Sequence, residues 1–134
     1  MLNANNVEYL LIGGYAVGYY GYVRATADMD VLIGSNPENA ARAVAALHQF
    51  GFDVPELSVE LFLKQESIVR LGELPFRIEI VTSISGVSFD ECYRERIVDT
   101  IDGVEVPIIS LRHLKINKKA SGRFKYLADL EHLP

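Results

Sequence analysis

The chain holds a single cysteine, Cys92. An internal disulfide and a cysteine-based zinc site are therefore excluded. A reduced, cytoplasmic setting is the simplest expectation. No apolar run is long enough to cross a bilayer, so no membrane partner is expected. Met1 to Asn6 lacks the basic start and long apolar region of a secretory leader. Linkers, internal repeats and low-complexity tracts are also absent. The 134 residues are therefore expected to form one domain, 1–134, long enough to bury a real core. Net positive charge is lacking as well. A formal charge of -5 argues against a surface coated all over with nucleic acid.

That charge is unevenly placed. Arg112, Lys115, Lys118, Lys119, Arg123 and Lys125 are six of the thirteen basic residues, within fourteen positions free of acid. The segment carries +6, leaving seven basic against eighteen acidic residues elsewhere, a remainder of -11. Such asymmetry steers a polyanion to one face, or it is simply a solvated basic helix.

The most informative stretch runs from Gly13-Gly14-Tyr15-Ala16 to Arg24-Ala25-Thr26-Ala27-Asp28-Met29-Asp30-Val31-Leu32-Ile33. Val7 to Ile12 reads as a buried strand. The glycine pair then permits a tight turn and close backbone approach, and Tyr15 to Tyr22 reads as a short helix. On the next strand Asp28 and Asp30 share one face, while Met29, Val31 and Ile33 share the other. Two carboxylates so placed repel unless a cation lies between them. Hard cations such as Mg2+ take oxygen ligands from carboxylates and substrate phosphates.

Further along, strands and helices alternate. Ser35-Asn36-Pro37 opens a helix through Phe50, with Ala41, Val44, Ala45 and Leu47 as its expected apolar stripe. Leu57 to Leu63 reads as a short helix or loop. Glu66 to Leu71 and Phe76 to Thr82 read as strands joined by a turn at 72–75. Ser88 caps a helix through Arg94. Asp102-Gly103 joins Ile97–Ile101 to Val104–Ile109 as a hairpin. Ser110 caps a helix that Gly122 breaks, and Arg123 to Leu133 is the last. Two hairpins and a crossover predict an α/β (α+β) fold, a mixed sheet with helices packed on it.

These motifs resemble the polymerase-beta-type nucleotidyltransferases, and most closely the AbiEii-like, minimal-nucleotidyltransferase group associated with toxin–antitoxin systems. The glycine turn and the D-x-D strand match. So does Phe76-Arg77-Ile78-Glu79-Ile80-Val81, with Glu79 as the third carboxylate. Lys118-Lys119-Ala120-Ser121-Gly122-Arg123-Phe124-Lys125-Tyr126-Leu127-Ala128-Asp129-Leu130-Glu131 is similar to the group's ending, with Tyr126 where an acid is usual.

The resemblance implies transfer of a nucleoside monophosphate from an NTP to a hydroxyl on a tRNA end or a partner protein. Mg2+, or Mn2+ in its place, would be held by Asp28, Asp30 and Glu79, the catalytic set. Gly13, Gly14, Arg24, Thr26, Lys118 and Arg123 would attend the nucleotide. A cognate toxin or antitoxin is an implied partner. Plainer readings stand beside these: Glu79 as an outward acid paired with Arg77 or a neighbouring strand, Arg24 and Thr26 as turn residues, the tyrosines at 15, 19, 20 and 22 as packing. The rival for the whole chain is a catalytically weak or inactive binding module of the same fold, acting as an antitoxin-like partner.

Overall fold

The structure, a computed structural model, describes residues 2–22, 28–52, 57–64, 67–72 and 77–134, with backbone alone at 124–126. Strands form where apolar and polar residues alternate or where apolar runs are short. They are β1 (Tyr9–Ile12), β2 (Asp28–Ile33), β3 (Ile68–Leu71), β4 (Arg77–Val81), β5 (Ile97–Ile101) and β6 (Val104–Ile108). Among the described residues they make one mixed sheet in the order β3-β4-β2-β1-β6-β5. β1 runs antiparallel to β2, and β2 runs parallel to β4. β3–β4 and β5–β6 pair antiparallel, as expected of two hairpins, with residues 73–75 of the first expected turn outside the described residues. In the second, Asp102 at φ 51° and Gly103 at φ 80° supply the two left-handed positions of a two-residue turn.

The helices are α1 (Gly13–Tyr19), α2 (Pro37–Gln49), α3 (Val59–Leu63), α4 (Phe89–Arg94), α5 (Leu111–Ser121) and α6 (Phe124–His132). Local chemistry sets their starts. The side chains of Asn36, Ser58, Ser88 and Ser110 each accept from a backbone N–H three residues on. Gly122, left-handed at φ 68°, closes α5.

Register partners across β1, β2 and β4 alternate between two faces. One face carries Leu10, Ile12, Leu32 and Val81, packed with Ala16 and Val17 of α1, Cys92 of α4, Leu114 of α5 and Leu133. The other carries Ile33, Val69, Leu71 and Ile80, covered by Ala40, Ala43, Ala46 and Leu47 of α2 and Phe62 of α3. Fully burying a side chain such as Leu47 contributes about 1.5–3 kcal/mol.

The buried stripe of α2 departs from the expected one. Asn39, Ala40, Ala43, Ala46 and Leu47 are buried, Ala41 and Ala45 are exposed, and Val44 is half-buried. An alanine-rich helix carries little phase information of its own. The rotation goes with Asn39. Its Oδ1 accepts from the Glu8 N–H at 2.7 Å, and its Nδ2 donates to the carbonyls of Glu8 and Gly34 at 2.9 and 2.8 Å. A polar residue at 1% exposure is tolerable only because those bonds satisfy it.

Candidate active site

β1 ends at Ile12, directly beside Asp30 of β2. Gly13 then turns the chain over that aspartate. Its φ of +65° favours glycine, and a Cβ built there would lie 2.9 Å from the Asp30 Cβ and closer still to its carboxylate. Gly14 is buried in the first turn of α1. Gly13 thus lets backbone pass close to a carboxylate, Asp30.

The parallel register sets Asp30 beside Glu79 and Asp28 beside Arg77. Alternation then puts Asp28, Asp30 and Glu79 on one sheet face, on neighbouring strands. Among the described residues, arginines hold Asp28 and Glu79. Arg77 Nε donates to Asp28 Oδ1 at 2.8 Å, and its Nη2 donates to Oδ2 at 3.2 Å. The hydrogen bond to Asp28 holds the Arg77 guanidinium above its ordinary pKa. Arg70, across the β3–β4 pair, donates from Nε to Glu79 Oε2 at 3.2 Å. All-oxygen donors on one face fit a hard divalent cation in kind. Among the described residues, however, no three His, Cys, Asp or Glu side chains are gathered as a metal cage.

Arg77, weighed from the sequence as a partner for Glu79, binds Asp28 instead, and Glu79 is paired from the neighbouring strand by Arg70, which a search for carboxylates passes over. The signal for Arg77 was its position two before Glu79, on the same face. Arg24 and Thr26 lie outside the described residues.

The basic segment does not form one exposed patch. Lys118 is 2% exposed, and its Nζ lies 3.6 Å from Asp129, itself 1% exposed, across the α5–α6 turn. Its ammonium faces protein rather than solvent. Arg112 makes two bonds to Glu95, and this hydrogen bonding holds the Glu95 carboxyl below its ordinary value. Lys115 donates to the Pro134 carbonyl. Lys119 and Arg123 are exposed, and the Lys125 side chain lies outside the description. Among the tyrosines, Tyr20 and Tyr22 pack on the core while Tyr15 and Tyr19 are exposed. Tyr20 donates to the Ile109 carbonyl, Tyr22 stacks on His132, and Tyr19 donates to Asp99. His113 is buried, with Nδ1 3.0 Å from Ser110 Oγ and Nε2 3.1 Å from Arg112 Nη2.

This arrangement of strands and helices has a solved counterpart. The chain superposes on the crystal structure of a proposed nucleotidyltransferase from Thermotoga maritima (TM1012) with a TM-score of 0.63. The match covers 98% of this chain and 86% of that one, at 16% identity. The fold is nucleotidyltransferase-like. No family model matches the chain, and no curated protein matches it. At that identity the likeness speaks for the nucleotidyltransferase-like fold alone. No helix among the described residues is long and apolar enough to cross a membrane.

Proposed function

We propose that the chain is a metal-dependent nucleotidyltransferase, moving a nucleoside monophosphate from an NTP to a hydroxyl acceptor. The observation that carries this reading is the placement of Asp30 beside Glu79, under the Gly13 turn and on the face shared with Asp28. A fold like that of a proposed nucleotidyltransferase supports it. Asp28, Asp30 and Glu79 would hold Mg2+, or Mn2+ in its place. The metal would offset charge on the triphosphate and the leaving pyrophosphate.

The chain's own residues do the rest. Gly13 and Gly14 would let backbone approach the triphosphate. Glu79 would take the proton of the acceptor hydroxyl as its oxygen bonds to the α-phosphorus and the bond to pyrophosphate breaks. The acceptor proposed is a tRNA end or a hydroxyl on a partner protein, in a cytoplasmic toxin–antitoxin-type system. Exposed Lys119 and Arg123 favour the RNA.

The test is incubation with each labelled NTP, total tRNA and cell protein. The wild-type chain should label one acceptor, and Asp30→Asn should not. Absence of label from wild type with all four NTPs would turn the choice to a binding module of this fold, an antitoxin-like partner. The two arginine–carboxylate pairs are the observation that favours this second reading.

A further inference from the structure

We infer that Arg77 is an internal counter-cation that must leave Asp28 before a divalent metal can be held there, so that metal and nucleotide bind as a coupled pair. This rests on the nucleotidyltransferase reading and concerns how its site is loaded. Arg77 engages both oxygens of Asp28. Each Asp28 oxygen therefore already accepts from a guanidinium N–H, and a metal must compete with Arg77 for the carboxylate's charge and lone pairs. The contact is built into the sheet, because the β2–β4 register sets the two residues side by side. Arg70 stands against Glu79 in the same way.

Charge decides the consequence. Among the described residues, Asp28, Asp30 and Glu79 with Arg70 and Arg77 sum to a charge of -1 rather than the -3 of the carboxylates alone. A bare divalent cation meets little attraction and must also break a two-point ion pair. A metal–triphosphate complex differs. The Arg77 side chain is 34% exposed, so it can rotate off Asp28 without opening the core. A phosphate group then offers its planar fork a new two-point partner. The nucleotide thus replaces for Arg77 what Asp28 gives to the metal. Each ligand strengthens the other by the same factor.

Calorimetric titration of Mn2+ into the full chain tests this, with and without α,β-methylene ATP and its GTP, CTP and UTP counterparts. Wild type should bind Mn2+ alone weakly, and about tenfold more tightly with the preferred analogue. Arg77→Gln should tighten Mn2+ alone by about five- to tenfold and shrink the analogue's effect. Arg77→Lys keeps the charge but loses the two-oxygen grip. It should also tighten Mn2+, whereas a through-space charge effect would leave it at wild-type affinity. This second variant carries the test if circular dichroism shows Arg77→Gln misfolded. Wild-type Mn2+ affinity in the folded variants, with the analogue still bound, overturns the inference and leaves the nucleotidyltransferase reading standing. No Mn2+ binding by any chain with any analogue overturns both.

Discussion

Gly13 and Asp30 occupy space that one methyl group would close. The glycine sits at φ +65° where β1 turns into α1, and a Cβ there would fall 2.9 Å from the Asp30 Cβ. Strand pairing brings the two together, since Ile12 is the register partner of Asp30. A carboxylate of the proposed site therefore has room because the residue that follows the neighbouring strand carries no side chain.

Gly13→Ala should be costly on two counts, the left-handed backbone and the clash. Together they should destabilise by about 2–4 kcal/mol. Urea denaturation measures this. Mn2+–nucleotide affinity, measured on the folded fraction, should fall with it. A variant of wild-type stability would show that Asp30 moves aside freely.

Asn39 ties α2 to β1 and to the end of β2. Asn39→Leu would leave the Glu8 N–H and the Gly34 carbonyl without that partner, inside the core. A loss of about 2–4 kcal/mol is expected in denaturant melts. Asn39→Asp should also destabilise, because a carboxylate cannot donate to the two carbonyls. If Asn39→Leu melts like wild type, the rotation of α2 has another origin.

The Lys118–Asp129 pair makes a prediction with a built-in control. Removing one partner strands a buried charge, so Lys118→Met should cost about 3 kcal/mol. Lys118→Met combined with Asp129→Leu should recover most of that. A double variant no better than the single would mean that the two charges do not act as a pair. A role for Lys118 in phosphate binding would show instead as lost nucleotide affinity at unchanged stability.

Cys92 is 0% exposed, and burial pushes its thiol up to about 11 from 9.0. Native alkylation should therefore proceed only as fast as the chain opens. The raised value favours folding fully below pH 9.0 and loses that contribution as pH climbs towards about 11. Relative to Cys92→Ala, wild type should lose about 2 kcal/mol across that window, read from denaturation midpoints at stepped pH. Parallel pH profiles would contradict the burial argument.

The sequence by itself determined what depends on neighbours a few residues apart. Asn36, Ser88 and Ser110 are caps because a short polar side chain reaches an N–H three residues on. Asp102-Gly103 turns because both positions accept left-handed backbone. Asp28 and Asp30 share a face by strand alternation alone, and Arg77 and Glu79 do likewise. Tertiary structure decided the rest. Pairing between β2 and β4 set Arg77 against Asp28, and pairing between β3 and β4 set Arg70 against Glu79. Long-range bonds from Asn39 accompany a rotation of α2 that its alanines left open. The α5–α6 turn drew Lys118 inward to Asp129, out of the basic segment that its sequence position suggested. Caps and turns are settled by chain geometry within one or two turns. Strand partners, helix rotation and the burial of a charge are settled only when distant segments compete for the same core.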